Sequence, residues 1–271
     1  MRYTALLFFC CSVAAKAAEP SLTVGYFELA PHTNSTAKLR APALCYFDLL
    51  AARMKYKVQY QAMPLPRLIK QLANNQLDIG LILAKTPERQ QQLMYPATPL
   101  FVTSPALAVR SELSTDIQRF MQRPDYSIVL WQQGYQIPQP GNFAGRTIIL
   151  TGDNIPARAV EMLQKKRADA FYGPDLYSLQ YELQRYDLTK QLKILPFENQ
   201  LLPLYSVFAK KAAARHLQAY EQALKAQQTD ISYLQYLQRH LAVASTHKTT
   251  KHNKTFSIVK GCLTGQHKKT G

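Results

Sequence analysis

Thr86-Pro87-Glu88-Arg89 sets four residues of distinct chemistry where an apolar run, Ile79 to Leu83, gives way to a polar segment. Thr86 can accept from free backbone N–H groups at a helix start, Pro87 suits the first helical position, and Glu88 suits the positive end of the helix dipole. Arg89 does not suit that pole. An anion held at the helix N-terminus would account for it, because orphan N–H groups and a guanidinium fork both bind a carboxylate. The plainer alternative is a solvated arginine that follows a cap.

Further candidates gather at strand ends. Tyr26, Phe27 and Glu28 close the first apolar strand, where they can stack on a ligand, bond to it, or simply pack. Arg67 opens a second helix and either reaches the same place or is solvated. Gly134-Tyr135 follows a strand ending at Trp131, and a glycine turn there can present backbone N–H groups to an anion. Trp131 and Tyr135 could form an aromatic wall, with core packing as the alternative for Trp131. Tyr172 and Asp175 end a later strand and begin a helix, so Asp175 reads as a cap or a ligand contact. Tyr177, Tyr181, Tyr186, Tyr233 and Tyr236 read as interior packing rather than a sugar platform. His32, His216, His240, His247, His252 and His267 are scattered and match no metal spacing. No nucleophile–base constellation is visible, so the expectation is a non-enzymatic protein without metal or cofactor.

The elements that position these residues follow from periodicity. Leu22–Phe27 reads as a strand, Ala43–Met54 as a helix with Leu44, Phe47, Leu50, Ala51 and Met54 on one face, and Lys57–Gln61 as an alternating strand. A helix over Arg67–Ala73 and a buried strand over Leu77–Leu83 complete a β-α-β-α-β order, which implies a parallel, doubly wound sheet. A strand over Ser104–Val109 follows, and Ser111–Ser114 reads as a crossing. A second α/β pattern runs through Tyr126–Trp131, Thr147–Leu150, Pro156–Lys166, Ala168–Tyr172 and Pro174–Tyr186 to an edge at Lys193–Pro196. Pro203–Ala209 is a last strand, with helices over Ala212–Gln227 and Asp230–Ala242. The fold class is therefore α/β, with two lobes joined by a hinge and a cleft where strand carboxyl ends face each other. The expected division is a first lobe over 19–110, a second over 111–198, a return to the first over 199–245, and a basic, disordered tail over 246–271.

Composition bounds the setting. Arg2, the apolar run Ala5–Ala15 and Ala15-Lys16-Ala17 predict a cleavable signal peptide over 1–18 and a periplasmic destination. The formal charge is +16, but setting aside Arg2, Lys16 and six lysines beyond Thr246 leaves 25 bases against 17 acids, a net +8. That balance attracts anionic solutes or surfaces, whereas an exported chain with no basic motif is not expected to bind nucleic acid. Cys45 and Cys262 are the only cysteines beyond the signal, and one disulfide between them is open to an exported chain.

These residues carry a resemblance. Phe47-Asp48-Leu49-Leu50, Met63-Pro64-Leu65-Pro66-Arg67, Gln76-Leu77-Asp78-Ile79, Thr86-Pro87-Glu88-Arg89 with Tyr95-Pro96, and Arg167-Ala168-Asp169-Ala170 resemble segments of the extracellular solute-binding proteins of family 3, with the type 2 periplasmic binding fold. The resemblance implies a monomeric receptor that closes two lobes on a small carboxylate-bearing solute, amino-acid-like or an organic anion. Arg89 would grip the carboxylate, with Ala84, Thr86 and flanking aromatics nearby and a second-lobe acid on any ammonium. The implied partner is an inner-membrane ABC permease or a sensor. The chain departs from the pattern at Ile82, Ala84 and Leu65, and Pro174 falls where the second-lobe acid is expected, with Asp175 beside it. A dehydratase of the same fold, resembling cyclohexadienyl dehydratase and using Glu28 and Asp175 as acids, and an interaction module without ligand are the alternatives.

Overall fold

The computed structural model describes residues 20–35, 39–113, 116–131, 143–151 and 155–245, together with Cys262. β1 (Ser21–Tyr26), α1 (Pro42–Met54), β2 (Lys57–Ala62), α2 (Leu65–Ala73) and β3 (Ile79–Ala84) alternate as the periodicity predicts, followed by the short α3 (Pro87–Gln92), β4 (Leu93–Met94) and β5 (Phe101–Thr103). The chain then passes through β6 (Ala106–Arg110), α4 (Ile117–Met121), β7 (Ser127–Trp131), β8 (Arg146–Leu150), α5 (Ile155–Gln164), β9 (Ala170–Gly173), α6 (Leu176–Arg185) and β10 (Leu192–Pro196). It returns through β11 (Leu202–Ala209) and ends in α7 (Lys210–Asp230) and α8 (Tyr233–Ser245).

Two sheets result, one ordered β2-β1-β3-β11-β4 with β5 also on β11, the other ordered β10-β6-β9-β7-β8. The fold is α/β and two-lobed, but the sheets are mixed rather than parallel. β1 runs parallel to β2 and β3, and β7 to β8 and β9; α1, α2 and α5 return the chain from β1 to β2, from β2 to β3 and from β8 to β9. β6 and β11 are the strands that carry the chain across between lobes. No crossover helix dictates their direction, and each runs antiparallel to its neighbours. The first boundary expected at 110 therefore moves to Ser104-Pro105, since β6 is hydrogen-bonded into the second sheet. Of the expected crossing at Ser111–Ser114, residues 111–113 form a turn within that lobe, and Ser114 lies outside the described residues.

Each lobe fixes its central strand with the same device. Asp78, just before β3, accepts from the Thr23 N–H and hydroxyl, both at 2.8 Å. Asp169, just before β9, accepts from the Ser127 N–H at 2.8 Å and its hydroxyl at 2.9 Å. The Leu77-Asp78-Ile79 and Ala168-Asp169-Ala170 segments thus share a carboxylate that satisfies a backbone N–H and a hydroxyl of the adjacent strand.

In the first lobe, α1 packs against α7 and α8 through fully buried Tyr46, Phe47, Tyr220, Tyr233 and Tyr236. The last two tyrosines are interior packing, as expected. In α6, Tyr177 is half-buried and packs against the first-lobe core and Tyr181 is half-buried, while Tyr186 just past the helix is exposed rather than interior. Cys262 is buried and disulfide-bonded to Cys45, and its carbonyl accepts from the Arg40 N–H at 2.9 Å, so the chain is anchored at that residue. The rest of the expected tail and the signal segment lie outside the described residues. Among the described residues no helix is long and apolar enough to cross a membrane.

Candidate functional site

A cavity of about 350 Å³ lies between the lobes. The first lobe contributes Phe27 and Glu28, just past β1, and Leu65 at the start of α2. The second contributes Trp131 at the end of β7, Ile155 at the start of α5, and Phe171 and Gly173 of β9. These are carboxyl ends of parallel strands and the helix starts that follow them, where doubly wound sheets leave room for a ligand. One face of α6 completes the wall: Asp175, Ser178, Leu179, Glu182, Arg185 and Tyr186 recur at helical spacing. Gly173 lets that helix close in, since a Cβ there would stand 2.6 Å from the Leu179 side chain.

Phe27, Glu28 and Asp175 are thus brought together, while other expected contacts go elsewhere. Tyr26 packs edge-on against Tyr60, with ring centres 6.5 Å apart, and Arg67 is exposed on α2. Neither lines the cavity. Tyr172 points to the opposite sheet face from Phe171 and Gly173, packing on Phe197 at 5.7 Å, and burial pushes its phenol pKa up. Gly134 and Tyr135 lie outside the described residues. Trp131 is half-buried at the cavity wall.

Arg89 is neither solvated nor in the cavity lining. Thr86 caps α3 as expected, its hydroxyl accepting from the Arg89 N–H at 3.3 Å. The Arg89 side chain folds back, is 8% exposed, and donates to the Ala84 carbonyl at 3.0 Å. The Tyr95 hydroxyl donates to the same carbonyl at 3.0 Å. Burial pushes the Tyr95 phenol up to about 12, with the Arg89 charge pulling the other way. The geometry has a local cause. Leu81 and Ile82 of β3 stand opposite Ser206 alone, a bulge that puts Ile82 at φ 58°. A β-branched residue is strained in that left-handed region, and a bulge re-aims the strand end beyond it. That end is where Ala84 turns its carbonyl to Arg89. The bulk of Ile82, a departure in the sequence, sits at the bend.

Asp175 caps α6 but does much more. Fully buried, it accepts from His32 Nε2 at 2.7 Å, the Thr103 hydroxyl at 2.7 Å, the Ser178 hydroxyl at 2.6 Å, and the N–H groups of Tyr177 and Ser178. His32 and Thr103 belong to the first lobe, so the carboxylate bridges the two lobes. His32 is itself fully buried, its Nδ1 2.8 Å from the Tyr233 hydroxyl, its ring stacked on Phe101 and Tyr233. Burial pushes the Asp175 carboxyl up, but the His32 charge and the hydrogen bonds from His32, Ser178 and Thr103 together hold it below the usual carboxylate range.

Glu182 was not singled out from sequence. It lies seven residues past Asp175 on the cavity face of α6 and is 6% exposed. Its nearest cation is Arg185, with Nη1 at 3.9 Å, outside hydrogen-bond range. Burial pushes the Glu182 carboxyl up, Arg185 partly offsets this, and Glu28 of the other lobe pushes it further up. The 3–4 spacing from Asp175 was the available signal for Glu182. His32 offered none, because its partners are distant in sequence. Among the described residues, no group of histidines, cysteines and carboxylates is arranged to hold a metal.

The pattern of the bacterial extracellular solute-binding proteins, family 3, matches residues 44–243. The chain belongs to that family. Solved structures with the same fold include a putative binding component of an ABC transporter from Wolinella succinogenes complexed with lysine, at TM-score 0.68 and 19% identity, covering 81% of this chain and 94% of that one. Another is the ancestral amino-acid-binding protein AncCDT-1, a precursor of cyclohexadienyl dehydratase, at TM-score 0.65 and 18% identity, covering 81% and 94%. A third is the GluR0 ligand-binding core from Nostoc punctiforme with L-glutamate, at TM-score 0.66 and 16% identity, covering 80% and 98%. No curated protein sequence matches the chain. The fold is that of the type 2 periplasmic binding proteins, and the role is the family's general one of solute binding.

Proposed function

We propose that the protein is a periplasmic receptor that takes a small solute into the interlobe cavity and presents it to an inner-membrane permease or a sensor. The observation that carries this is the cavity itself, of ligand size and walled by both lobes, with Phe27, Leu65, Trp131 and Phe171 supplying apolar surface. A solute touching both walls favours whichever interlobe arrangement it bridges. The expected carboxylate grip would need Arg89 to leave the Ala84 carbonyl and enter the cavity. The geometry favours a solute held by the cavity's own lining. A thermal-shift and calorimetric screen over amino acids, organic acids and amines tests the reading. A saturable stabilisation that is weakened by Trp131→Ala and Phe27→Ala supports it, and a stabilising solute indifferent to both changes contradicts it.

A second reading, a cleft enzyme, draws on one observation: Glu182 is a desolvated carboxyl with a raised pKa facing the cavity, as a general acid would be. Turnover of a cyclic amino-acid precursor that Glu182→Gln abolishes would favour it over simple binding.

A further inference from the structure

The cavity wall carries a charged group, Glu182, whose protein partners are sparse. Among the described residues no hydrogen bond reaches the Glu182 carboxylate, although the side chain is more than nine-tenths buried, and Arg185 stands 3.9 Å away with half its own side chain in solvent. A carboxylate largely withdrawn from bulk water with no protein donor in hydrogen-bond range is costly, so it invites a donor or a cation from the cavity. Glu28, itself exposed, lines the same space from the other lobe; among the described residues Asn34 donates to it at 3.2 Å, and the Asn34 Oδ1 is buried without a partner. Two carboxylates from opposite lobes thus face one cavity, against an aromatic and aliphatic wall that includes Phe27 and Trp131. The other groups able to bind a zwitterion are already committed. Asp175 is filled by His32, Thr103 and Ser178, and Arg89 donates to Ala84.

We propose that the cavity is an amine site, in which Glu182 and Glu28 hold the ammonium of an apolar-bodied solute while Phe27 and Trp131 pack its body. It needs no carboxylate on the ligand. Ammonium N–H groups supply the donors Glu182 lacks, charge-assisted bonds to a carboxylate are about twice as strong as neutral ones, and aromatic faces attract an adjacent cation. Contacts from both lobes mean that one cation offsets the repulsion between two carboxylates, so the amine favours the arrangement that brings the lobes together. This rests on the interlobe cavity being the solute site.

The test uses three probes of one size that differ in head group: phenethylamine, phenylacetate and 2-phenylethanol. Each is titrated by calorimetry into the full protein and into Glu182→Gln, Glu28→Gln and Trp131→Phe. Glu182→Gln removes a poorly solvated charge and keeps the side-chain shape, so the variant is expected to fold. The expected result is that phenethylamine binds in preference to the other two, that Glu182→Gln weakens it roughly 10- to 100-fold, and that Glu28→Gln weakens it less. Preference for phenylacetate or 2-phenylethanol, or phenethylamine affinity unchanged in Glu182→Gln, overturns the amine assignment and leaves the cavity receptor standing. If no probe binds and the wider screen of amino acids and organic acids finds no ligand either, the amine site and the receptor reading fall together.

Discussion

Replacing Asp175 by alanine should damage this protein far more than the loss of a helix cap. Two aspartates cap helices here with the same local pattern. Asp116 accepts from the N–H groups of Gln118 and Arg119 at an exposed site, and Asp175 accepts from those of Tyr177 and Ser178. Asp175 adds His32, Thr103 and the Ser178 hydroxyl in full burial. Losing a cap alone costs about 1 kcal/mol. Breaking a buried charge pair by removing one partner costs about 3–5 kcal/mol, because the other partner stays buried and unpaired. At roughly 2–4 °C per kcal/mol for a chain of this size, Asp175→Ala should lower Tm by about 6–20 °C and Asp116→Ala by about 2–4 °C. Differential scanning calorimetry and urea unfolding measure both, and a cycle with His32→Ala isolates the interlobe pair. Equal losses for the two aspartates, or no coupling between His32 and Asp175, would refute the assignment of a stabilising bridge between the lobes.

Acid should erase part of this difference. The Asp175 carboxyl is held below its ordinary range, so its contribution is present above that range and lost as pH falls through the lowered one. The stability gap between wild type and Asp175→Asn should therefore narrow as pH falls, and a gap that widens contradicts it. Glu182 has the opposite sign, since its raised carboxyl makes the ionised form unfavourable in the fold and its cost appears as pH rises. Glu182→Gln should raise Tm at pH 7 in the absence of ligand, and a fall would show that its carboxylate has stabilising partners. Arg89→Ala should cost about 1–3 kcal/mol by stripping the buried Ala84 carbonyl of a charged donor, while solute affinity changes little. A selective loss of carboxylate binding in that variant would restore the role expected from the sequence. Reducing the Cys45–Cys262 bond, which joins residues 217 apart, should cost about 2–4 kcal/mol, read as a lower urea midpoint with reductant.

The architecture was legible because it depends on local patterns. Helical spacing in Ala43–Met54, alternation in Lys57–Gln61 and the Thr86-Pro87 cap each correspond to an element within a few residues. β4 and β5 were missed because two or three residues carry no period. β6 was placed in the wrong lobe because its apolar sequence cannot say which sheet it joins. The site was less legible for a physical reason. Asp175 reads in the sequence as a cap or ligand contact and Arg89 as an anion grip or a solvated cation, but their partners are His32, some 140 positions away, and a carbonyl re-aimed by a bulge at Ile82. Both are three-dimensional facts. Glu182 was within reach, because it shares the helical face that Asp175 begins.

Trp131 is the only tryptophan in the chain, and it stands in the cavity wall. Titrating a stabilising solute while recording its emission therefore reads occupancy of the interlobe cavity directly. The account predicts a saturable spectral shift whose midpoint matches the calorimetric Kd. A solute that binds and stabilises the protein while the emission of Trp131 stays unchanged would contradict it.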